Sequence, residues 1–374
     1  MTAASTPNAL HALSELGVSV WLDDLGRHRL ESGELAQLVR ERAVVGVTTN
    51  PSIFAAAVGD GTDYADQITR LAKAGVGHDE VVRALTVDDV RSACDVLDDV
   101  YRNSHGVDGR VSLEVDPRLS GDTEATVAEA STLWQLVDRP NLMVKIPGTL
   151  AGLPAITATL AAGITVNVTL IFGLDRYRSV TNAWLSGLEQ AKSQGHDLAT
   201  IGSVASFFIS RFDTAVDRRL DAMGGTEAGR IRGRTAIANA CLAYAHFREV
   251  LTDERWLRLA AEGAQPQRPL WASTSAKDPA YDDTRYVTQL VAPMTVNTMP
   301  LKTLEAVHDH GRIDGVTISA DLTEAHDVLD TMQRLGIDYS EIVDQLEREG
   351  VASFEKSWEQ LLISVKSAMD LRRA

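Results

Sequence analysis

Cysteine is nearly absent: Cys94 and Cys241 are the two in 374 residues, and they form no CxxC pair. Neither a disulfide framework nor a cysteine-rich zinc site is indicated, and a reducing, cytoplasmic setting is expected. The amino-terminal stretch lacks the basic start and apolar core of a secretory signal, since Arg27 is the first basic side chain apart from His11, so export is not expected. Positive charge is short as well: 36 Lys and Arg face 52 Asp and Glu, a formal net charge of −16. Broad contact with a phosphate backbone needs clustered cations that release counterions, so nucleic acid is excluded as a partner. Linkers, repeats and low-complexity segments are missing, which leaves no internal boundary. Between Lys145 and Asp175 no charged residue occurs, but Pro147, Pro154 and Asn167 break that run. It reads as a buried helix followed by a buried strand, not as a membrane span.

What is present is 44% hydrophobic sequence, enough for a large core, arranged as short β-prone runs separated by helical ones. The runs are Val18 to Asp24, Val44 to Asn50, Arg110 to Asp116, Asn141 to Ile146, Ile164 to Ile171, Ile201 to Ile209, Pro269 to Thr274 and Tyr286 to Ala292. Between them lie helical patterns, including Ile53 to Arg102 around a Gly59-Asp-Gly61 turn, Thr149 to Ala162, Arg176 to Ala191 and Phe212 to Leu259. Strands alternating with helices imply a parallel sheet, and eight such units close into a single (β/α)8 TIM barrel. Residues 1–374 are expected to form one unit, with a helical lead-in over 1–17 and a helical extension over 311–374 made of Thr323 to Leu335 and Tyr339 to Leu371.

In such barrels the chemistry collects at the carboxyl ends of the strands. Here those ends carry Asp23, Thr48 and Asn50, Glu114, Lys145, Asn167 and Thr169, and Ser206, at in-strand parities that place them on one face. Lys145 is the centre of the set, because Leu142, Val144 and Ile146 alternate with Met143 and Lys145 before Pro147-Gly148 stops the strand. An amine in apolar surroundings loses its proton more easily, and a neutral amine attacks a carbonyl to form a Schiff base. A lone strand lysine pointing to water is the commoner arrangement. Polar residues at six consecutive strand ends are harder to explain as packing. Arg211, just past the sixth strand, suits an anion.

The segments Trp21-Leu-Asp-Asp, Gly46-Val-Thr-Thr-Asn-Pro-Ser, Val111-Ser-Leu-Glu-Val-Asp, the Lys145 strand and Val166-Asn-Val-Thr-Leu-Ile-Phe resemble those of transaldolases in order and spacing, from about Val18 to Pro300. The resemblance implies transfer of a dihydroxyacetone unit between sugar phosphates in the non-oxidative pentose phosphate pathway, without metal or other cofactor. Lys145 matches the Schiff-base lysine and Asp23 the carboxylate that exchanges a proton with the C4 hydroxyl. Glu114 matches the residue that moves protons through a water shared with Thr169. Asn50 and Asn167, with Thr48 beside them, match positions that hold substrate hydroxyls. Ser206 and Arg211 match phosphate-binding positions. After the seventh strand, where many members carry a second phosphate-binding arginine, this chain has Ser275, and Lys277 two residues later is the candidate replacement.

Three other readings compete. A fructose 6-phosphate aldolase would use the same lysine, but those relatives typically have glutamine and tyrosine where this chain has Glu114 and Phe208. A non-catalytic barrel that binds sugar phosphates is disfavoured by the intact set of Asp23, Glu114 and Lys145. His308-Asp-His310 is the best metal motif and reads as a solvated helix end. Arg230, Arg232 and Arg234 read likewise as a solvated helix start. The expected partners are small sugar phosphates, with neither nucleic acid nor membrane, and a homodimer is left open.

Overall fold

In the computed structural model, which describes residues 8–59 and 62–373, eight parallel strands close on themselves in sequence order. They are β1 (Val18–Leu22), β2 (Val44–Val47), β3 (Arg110–Glu114), β4 (Leu142–Pro147), β5 (Val166–Ile171), β6 (Ser203–Phe208), β7 (Arg268–Ala272) and β8 (Thr295–Met299). The barrel is sealed by β1 against β8, in register from Val18↔Thr295 to Leu22↔Met299. Helices surround it, so the strands are buried on both faces, with apolar residues alternating with buried polar ones such as Ser112, Lys145, Asn167 and Asn297.

The fold expectation is met, with one strand misplaced. Tyr286–Ala292 is not the eighth strand: Arg285–Thr288 is a short helix, and β8 begins at Thr295. Its β-branched and apolar residues are buried against helices instead, with the Tyr286 hydroxyl donating to Asp213 at 2.7 Å. Burial, not strand pairing, accounts for their composition. The true strand is short and half polar, and Pro300 hid it by marking a helix start. The helical lead-in is seen as Ala9–Glu15, and residues 1–7, like Asp60 and Gly61 of the expected turn, lie outside the described residues. No helix among the described residues is long and apolar enough to cross a membrane.

Local chemistry sets the strand ends. Asn50 follows β2 and accepts from the Ser52 and Ile53 amides at 3.0 and 3.2 Å, capping the helix Pro51–Gly59. In β5 the pairing shifts register after Val168, and Leu170 takes a positive φ of 60°. That irregularity falls directly after Thr169, so it is a bulge of the kind that re-aims side chains beside a site.

The carboxyl-terminal extension contains Thr323–Arg334 and the long helix Tyr339–Arg373. The latter crosses the carboxyl-end mouth of the barrel, where the Tyr339 hydroxyl accepts from the Leu174 amide at 3.0 Å and donates to Asn239 at 2.7 Å. Arg176 pairs with Glu347 at 3.0 Å, and Arg118 stacks 6.0 Å from the Trp358 ring. Gly173 allows this close approach, because a Cβ there would lie 2.6 Å from Val343.

Candidate active site

Register places the central residues side by side: Glu114 lies opposite Lys145, and Lys145 opposite Asn167. The Lys145 ammonium donates to the Thr49 carbonyl at 2.9 Å and sits 2.9 Å from Glu114 Oε1. Both side chains are buried. The approach to Glu114 is close but not aligned as a hydrogen bond, and among the described residues neither carboxylate oxygen has another partner. Burial drives the Glu114 carboxyl up to about 7 against the opposing pull of Lys145. That value suits a group that must both take and give protons near neutral pH.

Asp23, one residue past β1, is held by its own amide donating to Met299 O at 2.7 Å. Its carboxylate accepts from Thr48 at 2.8 Å, and Thr48 is 2.6 Å from Thr298 of β8. Burial raises the Asp23 carboxyl, opposed by Lys145 and by the Thr48 and Asn50 hydrogen bonds. Lys145 thus acts electrostatically on two carboxyls, opposing in each the upward push of burial.

A cavity of about 240 Å³ opens above Lys145 and brings together Asp23, Thr48, Asn50, Ser206, Arg211, Ser275 and Lys277. Arg211 stands in the first turn of the helix Ser210–Met223, its guanidinium 5.4 Å from the Phe208 ring. Burial pulls the Arg211 charge down, and Lys277, at the exposed rim, is lowered by desolvation and by Arg211 facing it. Two cations turned toward one space, at a helix amino terminus, form an anion-attracting end.

Glu114, Asn167 and Thr169 do not line this cavity. Glu114 sits behind Lys145 and opens on a second, tighter cavity with Asn50, Arg118 and Trp358. Asn167 is fully buried and tied at both ends of its amide, donating to Ser112 at 2.9 Å and accepting from Ser206 at 2.7 Å. The Thr169 hydroxyl is buried and has no hydrogen-bond partner among the described residues. The hydroxyl of Thr48 is engaged by Asp23, which makes it a support for that carboxylate. Thr298, Ser353, Phe354 and Ser357 also line the cavity, and the sequence did not single them out. Thr298 was hidden by the misplaced strand. The other three lie on the long carboxyl-terminal helix, where serines at i and i+4 carry no local signal. Among the described residues no cluster of His, Cys, Asp or Glu could hold a metal, and His310 pairs with Asp283 at 2.9 Å.

The sequence profile of the transaldolase/fructose-6-phosphate aldolase family matches residues 20–365. A protein named transaldolase from Thermobifida fusca is 60% identical over 94% of this chain and 96% of its own length. Another, from Saccharopolyspora erythraea, is 57% identical over 98% and 99%, respectively. Transaldolase 1 of Streptomyces coelicolor is 57% identical over 98% of this chain and 97% of its own.

Proposed function

This chain belongs to the transaldolase/fructose-6-phosphate aldolase family, and from that membership and the site geometry we propose how it works as a transaldolase. It moves a dihydroxyacetone unit from sedoheptulose 7-phosphate to glyceraldehyde 3-phosphate, giving erythrose 4-phosphate and fructose 6-phosphate. The observation that carries the chemistry is the Lys145 nitrogen 2.9 Å from Glu114, at the floor of a cavity shared with Asp23.

Lys145 gives up two protons to Glu114 in turn, one before its nitrogen adds to C2 of the ketose and one after. Glu114 passes both to the ketose oxygen, which departs as water, so that the carbinolamine becomes an iminium. Thr169, its hydroxyl without a partner among the described residues, holds with Glu114 the water through which these protons pass. The iminium draws in the electrons of the C3–C4 bond as Asp23 accepts the C4 hydroxyl proton, releasing an aldehyde and leaving an enamine on Lys145. A second aldehyde regains that proton from Asp23 as the enamine adds to it, and hydrolysis frees the product. Asp23, with its carboxyl above the ordinary range, is suited to this exchange.

Asn50 faces the substrate hydroxyls, Asn167 holds Ser206 toward the cavity from behind, and Thr48 orients Asp23. Ser206 and Arg211 take one side of the phosphate, and Ser275 and Lys277 take the other. Residues 1–374 act in this reading as one cytoplasmic unit, with the 311–374 extension covering the site. The deciding experiment is a coupled dehydrogenase assay for glyceraldehyde 3-phosphate released from fructose 6-phosphate, with and without erythrose 4-phosphate. Sustained release that requires the acceptor is expected. Equal release without it means an aldolase, and no release means a binding barrel.

A further inference from the structure

Of the three arginines at positions 230, 232 and 234, Arg230 is exposed as a solvated helix start would be, while Arg232 and Arg234 are half-buried. Each meets a carboxylate from another element: Arg230 reaches Asp327 at 2.6 Å, Arg234 reaches Glu324, and Arg232 reaches both Asp221 and Asp278 at 2.6 Å. Arg232 also donates to the Tyr281 hydroxyl at 2.6 Å. It therefore ties together two segments that converge on the anion end of the cavity.

One segment is the helix Ser210–Met223, which carries Arg211 in its first turn. Asp213, Asp217 and Asp221 recur every four residues along one face of it, and each is bonded outward. Asp213 accepts from Tyr286 at 2.7 Å, Asp217 from Tyr281 at 2.7 Å and from the Gly233 amide at 2.8 Å, and Asp221 from Arg232. The other segment is the loop after β7. Asp278, next to Lys277, accepts from the Ala280 amide at 2.9 Å while its second oxygen meets Arg232, and Pro279 pre-sets the turn between. Arg285 stacks on the far part of this loop, 4.2 Å from the Tyr281 ring centre. Gly233 makes the contact fit, since it has a φ of +69° and a Cβ there would lie 2.5 Å from the Tyr281 oxygen.

We propose that Arg232, acting with Tyr281, is a positioning residue for the substrate phosphate: it locks the loop after β7 to the Arg211 helix and so fixes how far Lys277 stands from Arg211. The inference rests on the reading of Lys277 as a phosphate ligand. Two cations that face each other repel, and a lysine on a free loop would drift outward and have to be reordered on binding. A loop fixed beforehand removes that cost, which is how preorganisation raises affinity. Arg232 does not line the cavity, so it acts through the loop it holds, on which Lys277 carries the charge.

The test uses the purified full-length chain with Arg232→Met, Lys277→Ala and the double variant. The readouts are KM and kcat for fructose 6-phosphate, and the half-saturation of borohydride-trapped labelling by dihydroxyacetone, which has no phosphate. Losing a charge-assisted contact of this kind corresponds to about a tenfold rise in KM. That rise is expected in Arg232→Met, with kcat and dihydroxyacetone labelling unchanged and no further rise when Lys277 is already alanine. A rise of the same size in both backgrounds, or an equal loss with dihydroxyacetone, would overturn the proposal. If Lys277→Ala raises KM and Arg232→Met does not, the positioning role alone fails. If Lys277→Ala leaves KM unchanged, the phosphate reading of Lys277 fails first. Should Arg232→Met not fold, Tyr281→Phe removes one hydroxyl of the same network, and about a threefold rise carries the same comparison.

Discussion

The Lys145 nitrogen and the Glu114 carboxyl lie 2.9 Å apart out of water, and the proton they exchange is the one Schiff-base chemistry must move. Below about pH 7 Glu114 holds a proton and cannot accept another from Lys145, whereas above it the carboxylate can. Borohydride-trapped labelling by dihydroxyacetone is therefore expected to speed up as pH rises through about 7 and then level. In Glu114→Gln that inflection should vanish, with the plateau about 10²-fold lower. Asp23 has a different task, and the same probe separates it. Asp23→Asn should still be labelled by dihydroxyacetone, yet cleave fructose 6-phosphate about 10³-fold more slowly, because only C3–C4 scission needs its carboxylate. Lys145→Met should lose labelling altogether and at least about 10⁴-fold in kcat. Labelling that survives in Lys145→Met would move the nucleophile to another residue.

At the scale of elements, the helix Tyr339–Arg373 is the part whose placement the sequence did not foretell. Its existence was plain from periodicity, but its docking depends on Gly173, Tyr339 and Arg176 meeting residues far away in the chain. Gly173→Val should drive the Val343 side chain away and tilt the helix off the mouth, an overpacking cost of about 1–3 kcal/mol. A rise in acceptor-independent turnover, from water reaching the enamine, together with a lower melting temperature, would mark that displacement. Unchanged turnover would show that the helix is not a cover. The barrel strands were easier to read, because charges such as Glu114 and Lys145 stand out inside apolar alternation. Strand eight failed for the opposite reason: Thr295, Asn297 and Thr298 look like a loop until the barrel supplies their partners. The Arg232 network was equally silent, since an arginine on a helical stretch reads as solvated until its carboxylates are folded against it.

Across the whole molecule the two ends of the barrel do different work. At the amino end Arg268 donates to Ser19 at 2.7 Å and to the Val107 carbonyl at 2.8 Å, and pairs with Asp108 at 3.0 Å. Trp21 adds its indole N–H to Asp108 at 3.1 Å, and only a glycine at position 46 leaves room for its ring. This plug joins β1, β7 and the approach to β3, and it touches none of the cavity residues. Arg268→Met should cost about 2 kcal/mol, because Asp108 loses its cation and keeps only the Ser19 and Trp21 donors, while kcat of the folded enzyme stays unchanged. Chemical denaturation paired with steady-state rates checks both halves, and a fall in kcat would link the plug to the mouth. The seal of β1 on β8 also bears on biosynthesis. Every strand of the barrel is synthesised before the helix Tyr339–Arg373, and chains fold from the amino end as they emerge. The shell can close early with its reactive amine still uncovered, so the last wall of the active site is also the last to be made.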